Sequence, residues 1–155
     1  MRILFLEDRG SVSEPITGKL KQDGYDVISA YDINDAQSVW ENRGKRPIDC
    51  LIIDLNMPAD GLSDHEKEDT KGGLLTGWIW LREHVFKDDA DMKAKTVIFS
   101  EYLNVFRMHV PESEYEGVVT IPKSAAYSPV EKLLKCVRSI CARTKDEGLS
   151  SKEHA

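Results

Sequence analysis

Five polar residues stand where short apolar segments of the chain end, and their types suit metal-assisted phosphoryl transfer. Glu7 and Asp8 follow the first segment, and Asp54, Ser100 and Lys123 come at the ends of three later ones. Moving a phosphoryl group onto a carboxylate requires an ionised acceptor and a dication that offsets the incoming charge. A cation and a hydroxyl must then hold the oxygens of the product. Three carboxylates, one ammonium and one hydroxyl meet these requirements.

A parallel sheet would bring these side chains together. The apolar segments are Arg2–Leu6, Cys50–Ile53, Thr96–Phe99 and Gly117–Ile121. In an open α/β sheet the carboxyl ends of the strands form the crevice in which ligands bind. We therefore expect the five polar residues to meet at one edge of the sheet.

The predicted cluster suits Mg²⁺, which prefers oxygen ligands, keeps several waters and takes one or two carboxylates directly. Asp8 and Asp54 are the expected direct ligands, with Glu7 acting through water. The alternative is that Glu7 and Asp8 cap a helix, as short acidic side chains often do, or that Asp54 does so. Carboxylates this close repel each other unless a cation is present, which favours the metal site. No helix is predicted directly after Asp54, which argues against a cap there.

Composition limits the classes of function. The chain has 155 residues, 41% hydrophobic and 31% charged, which fits one soluble domain with a real core. The net charge of −6 gives no support to nucleic-acid binding, which needs a basic face. No apolar run approaches the ~20 residues of a membrane span. Three cysteines at no metal-like spacing indicate reduced thiols, so we expect a cytoplasmic protein.

The elements that must position the site alternate between strand and helix five times, which predicts an α/β domain with a parallel sheet. A second, more polar strand is expected at 25–29. The first helix is expected to begin at a cap on Ser11 or Ser13 and the second at a cap on Asn34. The remaining helices are predicted at about 75–86, 102–109 and 126–142. The polar residues 144–155 are expected to form a disordered tail after a domain that covers 1–143.

One connection is too long for this pattern. About twenty residues separate Asp54 from the helix at 75–86, whereas two to six are usual. Residues 59–74 are charged and rich in glycine, and we expect a solvated loop rather than further metal ligands. In the helix that follows, Trp78 and Trp80 are two positions apart and cannot share a face. One of them is therefore predicted to be exposed and available to a partner.

The chain resembles the receiver domains of two-component response regulators. The resemblance covers about residues 1–142 and is carried by Leu6-Glu7-Asp8-Arg9, by Asp54-Leu55-Asn56-Met57-Pro58, by Ser100 and by Lys123. Each motif alone is weak, but this order, with each motif at a strand end, is specific. The resemblance implies a doubly wound, flavodoxin-like fold with five parallel strands in the order 2-1-3-4-5.

The resemblance also implies a role for each matching residue. Asp54 is the expected phosphoacceptor, and Ser100 and Lys123 are expected to contact the phosphoryl group. Glu7, Asp8, Asp54 and the main-chain carbonyl of Asn56 are the expected ligands of Mg²⁺.

The implied partners are a sensor histidine kinase or a histidine phosphotransfer protein, and a downstream protein. The chain would catalyse only its own phosphorylation and dephosphorylation, so it is not expected to be an enzyme for other substrates. It is expected to be a monomer or a weak dimer through the helix at 102–109, the last strand and the last helix.

Four features depart from the family pattern. The first is the insertion at 59–74. Glu101 follows Ser100, where receivers usually carry a small residue that leaves the site open. Thr120 stands where many receivers have an aromatic switch residue. Ser124 replaces the proline that commonly follows the lysine and is a candidate cap for the last helix.

Three hypotheses follow. Because the chain ends soon after the last predicted helix, a stand-alone receiver in two-component signalling is favoured, with output by protein binding or an onward phosphorelay. The alternative is a pseudo-receiver that binds proteins independently of phosphorylation, which Glu101, Thr120 and the missing proline after Lys123 suggest. A Mg²⁺-dependent phosphatase is disfavoured, because Asp54-Leu55-Asn56 lacks the second aspartate of an Asp-x-Asp signature.

Overall fold

The structure, a computed structural model, describes residues 1–124 and 128–153. The strands are β1 (Arg2–Leu6), β2 (Asp26–Ala30), β3 (Cys50–Ile53), β4 (Thr96–Ser100) and β5 (Val119–Pro122). The helices are α1 (Gly10–Gln22), α2 (Ile33–Glu41), α3 (Asp64–Glu68), α4 (Thr76–Trp80), α5 (Leu103–His109) and α6 (Pro129–Glu153). A π-helical segment (Leu81–Phe86) continues α4, and short 3-10 segments lie at Arg43–Lys45, Ala90–Lys95 and Glu112–Glu114.

The five strands form one parallel sheet in the order β2-β1-β3-β4-β5, which confirms the predicted fold class and strand order. β3 lies at the centre, and all four of its residues are buried, as expected for a strand covered on both faces. The register pairs Leu6 with Ile53 and Ser100 with Pro122. Strands β1 and β3, and likewise β4 and β5, therefore end at the same level of the sheet.

Helices cover both faces of the sheet, and each face has its own apolar core. Helices α1 and α6 pack on one face over Phe5, Ile52 and Phe99. On the other face, α2, α4 and α5 pack over Leu4, Leu51 and Ile98. The three cysteines are unpaired, as predicted, with Cys50 and Cys141 buried in the first of these cores.

The predicted helix starts were wrong by a few residues. α1 begins at Gly10 after Arg9, with no side-chain cap, and Ser13 is buried inside the helix. α2 is capped by Asp32, whose carboxylate accepts a hydrogen bond from the Asp35 amide, and not by Asn34. At α2 the neighbouring polar residues Asp32 and Asn34 compete for the cap position, which sequence alone does not resolve.

The C-terminal part of the chain also differs from the prediction. α6 starts at Pro129, so Ser124 does not cap it, and residues 126 and 127 of the predicted helix lie outside the described residues. The helix continues to Glu153, so the segment after Thr144 is helical rather than a disordered tail as far as it is described. The division into a domain at 1–143 and a separate tail stays a prediction. No described helix, α6 included, is long and apolar enough to cross a membrane.

The prediction that Trp78 or Trp80 is exposed was wrong, because every residue of α4 is buried. Trp80 faces α2, where its indole N–H donates to Gln37 Oε1 at 2.8 Å. Trp78 faces α5 and meets Phe106 edge-on, with ring centroids 5.2 Å apart. A helix covered on several sides can bury residues that do not share a face, so the spacing of the two tryptophans does not imply a partner site.

Candidate functional site

The sheet brings the polar strand-end residues to one edge. Hydrogen bonds continue the strand pairing just past the strand ends, from the Asp54 amide to the Leu6 carbonyl at 2.9 Å and from the Lys123 amide to the Ser100 carbonyl at 3.1 Å. The Glu7 amide likewise donates to the Ala30 carbonyl at 3.0 Å. These bonds fix the backbone that carries the acidic and basic side chains. We call Glu7, Asp8, Asp54, Ser100 and Lys123 the strand-end site.

Three carboxylates of the strand-end site are close enough to share one ion. Ligand oxygens of Glu7, Asp8 and Asp54 all lie within 4.8 Å of one another. Glu7 and Asp54 are buried, whereas Asp8 is exposed and gives access from solvent. This convergence is what the strand ends predicted, although the metal ligation itself stays a prediction.

Lys123 lies between the two buried carboxylates. Its ammonium donates to Asp54 Oδ2 at 3.0 Å and also to Glu7 Oε2. Only 6% of its side chain is exposed. The serine after Lys123 therefore does not displace this side chain from Asp54.

The surroundings of Asp54 in the strand-end site disfavour the ionised form of its carboxyl group. Burial raises the pKa of Asp54, Lys123 opposes the rise, and the neighbouring Glu7 carboxylate adds to it. The net effect is a pKa above the ordinary value for aspartate. One ammonium faces three carboxylates, so a dication bound here would offset the remaining charge.

The donor set fits Mg²⁺. The site provides three carboxylates with no soft ligand, and the hard Mg²⁺ ion selects oxygen. The main-chain carbonyls of Leu55 and Met57 accept hydrogen bonds from the Gly77 amide and the Thr76 hydroxyl. In residues 1–124 and 128–153, by contrast, no group donates to the carbonyl of Asn56, the fourth predicted ligand.

Gly77 anchors the loop after Asp54 against α4. Its amide donates to the Leu55 carbonyl at 3.0 Å, and a Cβ at this position would lie 1.9 Å from the Asp54 carbonyl oxygen. Backbone therefore touches backbone here, which only glycine permits. This contact explains why a glycine stands at the start of α4 and holds the backbone of Asp54 in place.

The inserted segment, residues 59–74, is folded against α4 and the π-helical segment. Ser63 and Glu66 form a capping box that starts α3. Glu66 also contacts His84 Nε2 at 2.6 Å, and Asp69 accepts from Arg82 at 2.9 Å. Among the described residues, no carboxylate of the insertion joins the acidic cluster. That the insertion adds no metal ligand stays a prediction.

Two charged residues beside the strand-end site were missed as partners from sequence. Arg9 Nε lies 3.7 Å from Glu7 Oε1, and Arg9 NH2 lies 3.6 Å from Glu101 Oε1. The only signal was their position, because each directly follows a site residue. Together with Asp54, Asn56, Tyr102 and Lys123, they line a cavity of about 90 Å³.

The hydroxyl and the switch position complete the site. Ser100 is fully buried, its Oγ accepts from the Tyr102 amide at 3.2 Å, and its hydroxyl donates to the Asp54 carboxylate, which opposes the rise in the pKa of Asp54. Thr120 is half-buried and accepts from Arg107 NH2 at 3.2 Å.

Comparison with known proteins bears on the fold. No family model and no curated protein matches the sequence. Among solved structures, a response regulator receiver domain protein from Clostridium thermocellum matches with a TM-score of 0.64 and 21% identity, over 93% of this chain and 96% of that one.

Two further solved structures give the same result. The non-phosphorylated HemR receiver domain from Leptospira biflexa matches with a TM-score of 0.63 and 21% identity, over 90% of this chain and 93% of that one. The Vibrio cholerae chemotaxis protein CheY4 matches with a TM-score of 0.59 and 18% identity, over 88% and 97%. Strand order, site position and these matches together show that the chain has the fold of response regulator receiver domains.

Proposed function

We propose that this chain is a receiver whose Asp54 accepts a phosphoryl group from a phosphohistidine on a histidine kinase or phosphotransfer protein. The observation that carries this proposal is the buried Asp54 carboxylate, held 3.0 Å from Lys123 and clustered with Glu7 and Asp8. Structural roles alone do not explain such a cluster, because burying several carboxylates around one lysine is costly unless a ligand compensates.

The residues that would hold Mg²⁺ are Glu7, Asp8, Asp54 and the main-chain carbonyl of Asn56. Mg²⁺, when bound there, supplies the positive charge that offsets the phosphoryl oxygens. The exposed Asp8 gives the ion a route from solvent, whereas the buried Glu7 stays paired with Lys123 and Arg9.

In the transfer itself, an Asp54 carboxylate oxygen forms a bond to phosphorus while the phosphorus–nitrogen bond of the donor breaks. The electron pair of that bond stays on the imidazole nitrogen. Lys123 is already in contact with Oδ2 and neutralises charge on the product. The Ser100 hydroxyl donates a hydrogen bond to a phosphoryl oxygen. Later attack of water on phosphorus returns Asp54 to its carboxylate form and releases inorganic phosphate.

The output is proposed to pass through the surface made by α5, β5 and α6, by binding a downstream protein or a second copy as a weak dimer. Arg107 on α5 contacts Thr120 on β5, so the two elements are linked directly. Whether this chain acts alone or with an output domain, and whether it is cytoplasmic, stay predictions from sequence.

The alternative is a pseudo-receiver that binds proteins without phosphorylation. Its specific support is the Arg9–Glu101 ion pair beside the acceptor and the threonine at position 120. Both features alter the parts of the site that a donor approaches and that a switch would use.

Exposure to acetyl phosphate with Mg²⁺, followed by intact-mass measurement, separates the two functions. The phosphoacceptor function predicts addition of one phosphoryl group, lost on chelation of Mg²⁺ and lost in Asp54→Asn. The matched control is Asp64→Asn, an exposed aspartate of α3 outside the acidic cluster, which should react like the wild type. A folded wild-type protein that gains no phosphoryl mass would leave the pseudo-receiver as the function.

A further inference from the structure

An arginine and a glutamate close one side of the space in front of Asp54. Arg9 precedes α1 and Glu101 precedes α5, and they reach toward each other with 3.6 Å between Arg9 NH2 and Glu101 Oε1. The same guanidinium lies 3.7 Å from Glu7 Oε1 through Nε. Arg9 is thus held between a buried carboxylate of the site and an exposed one at its rim.

The space that they enclose brings two cations, Arg9 and Lys123, close to Asp54. The cavity of about 90 Å³ is lined by Arg9, Glu101 and Lys123 around Asp54. A cavity needs on the order of 10–15 Å³ to hold one water, so this one has room for a phosphoryl group. Arg9 is a permanent cation, because a guanidinium stays protonated in proteins, and it lines the same cavity as Asp54.

The ion pair between Arg9 and Glu101 is weak enough for another anion to replace Glu101. Half of each side chain is exposed, 50% for Arg9 and 47% for Glu101. Ion pairs at such positions are weak because water competes for both partners. A phosphoryl group carries more negative charge than a carboxylate and binds guanidinium with two parallel hydrogen bonds. A phosphoryl group on Asp54 is therefore the better partner for Arg9.

We propose that Arg9 is a second cation, beside Lys123, that contacts the phosphoryl group on Asp54. Before phosphorylation Arg9 is paired with Glu101, and the phosphoryl group then displaces Glu101 from it. This inference rests on the proposed function of Asp54. Glu101 limits phosphorylation by competing for Arg9, not merely by repelling the donor. Its release also frees the segment before α5, whose Tyr102 amide is bonded to Ser100. Thr120 stands where many receivers have an aromatic switch residue. The exchange of partners at Arg9 would therefore provide another way for phosphorylation of Asp54 to change α5.

The test is a double-mutant cycle on binding of beryllofluoride, a phosphoryl mimic, in the presence of Mg²⁺. Binding is followed by NMR, which also reports the Arg9 Nε–H signal directly. Glu101→Gln should tighten binding about fivefold, since it removes a weak competing ion pair. Arg9→Gln should weaken binding on the order of tenfold, since it removes one charge-assisted contact. In the Arg9→Gln background, Glu101→Gln should change binding less than about twofold.

Controls match the charge changes. Glu112→Gln and Arg46→Gln alter exposed residues near the amino ends of β5 and β3, at the opposite edge of the sheet, and should leave beryllofluoride binding within about twofold of wild type. The Arg9 Nε–H signal should shift on beryllofluoride binding in the wild type.

The outcomes separate this inference from the proposed function. Equal tightening by Glu101→Gln with and without Arg9 would show that Glu101 acts by repulsion and would overturn the exchange. So would an Arg9 signal that does not move. A wild type that binds no beryllofluoride would instead reject the phosphoacceptor function, and this inference with it.

Discussion

The strand-end site and the inserted segment both pair carboxylates with cations, but they do so in different environments. In the strand-end site, Glu7 and Asp54 are buried around Lys123, with an excess of negative charge. In the inserted segment, partly exposed Glu66 pairs with His84, and Asp69 pairs with Arg82, which also pairs with Glu83, so each carboxylate has its own cationic or hydrogen-bonding partner. A carboxylate whose charge is balanced by neighbouring side chains has a structural role. A buried carboxylate whose charge is not balanced in this way indicates that a ligand binds there.

The largest expected effect is at Gly77, where the two regions join. Gly77→Ala should lower the free energy of unfolding by about 3 kcal/mol or more, because its Cβ would overlap the Asp54 carbonyl oxygen. Urea denaturation measures the loss. The matched control is Gly18→Ala in α1, where nothing lies within 4 Å of the added atom. That change should stabilise by roughly 0.5–1 kcal/mol, as expected in a helix. Similar effects of both changes would contradict the close contact.

Lys123→Met should have the next largest effect. It should lower the free energy of unfolding by about 3 kcal/mol at pH 7, because it leaves two buried carboxylates without their cation. The loss should shrink as the pH falls, since the raised pKa of Asp54 lets that carboxyl take up a proton before an ordinary aspartate would. Urea titrations at pH 7 and pH 5 measure both effects. Lys135→Met, at an exposed position of α6, serves as the control. A pH-independent loss would contradict the charge imbalance.

Mg²⁺ should stabilise the protein through the strand-end site alone. At a concentration ten times its dissociation constant, we expect a gain of about 1.4 kcal/mol in unfolding free energy. Asp8→Asn should abolish most of this gain, whereas Asp60→Asn in the inserted segment should keep it. Burial raises the pKa of Asp54, so protons compete with the metal, and the gain should be larger at pH 8 than at pH 5. A gain that survives Asp8→Asn would place the ion elsewhere.

The smallest effect is expected in the inserted segment. Glu66→Gln should cost about 0.5–1 kcal/mol at pH 7, because its contact with His84 is partly exposed. Burial alone would raise the pKa of Glu66, but hydrogen bonds from Ser63 and His84 outweigh it and lower the pKa. The stabilisation is therefore present at neutral pH and is lost as the pH falls through that lowered pKa. Hydrogen exchange of α3 should speed up in the variant, and unchanged exchange would show that the pair does not hold the segment.

The strand-end site was predictable from sequence because few alternatives compete with it. Apolar strands are short and end sharply, so Asp54 and Lys123 could be assigned to strand ends without coordinates. Parallel pairing then forced them together. The alternation of strands and helices could likewise be predicted from the pattern of apolar residues. The strand order could be predicted only with the resemblance to receivers.

What the sequence did not reveal depends on side-chain direction and on contacts between distant segments. The Arg9–Glu101 pair depends on two rotamers that no spacing rule determines. The folding of residues 59–74 depends on His84 and Arg82, which lie beyond the insertion itself. The burial of both Trp78 and Trp80 depends on α2 and α5 covering α4 from two sides. Local patterns could not predict any of these.

The most direct measurement of the central claim is the position of the phosphoryl group. The protein is incubated with acetyl phosphate and Mg²⁺ and then treated with borohydride, which reduces an aspartyl phosphate to homoserine, and its peptides are sequenced by mass spectrometry. The account predicts homoserine at position 54 and unchanged aspartate at positions 8 and 60. Homoserine at another position, or at none in a folded protein, would contradict it.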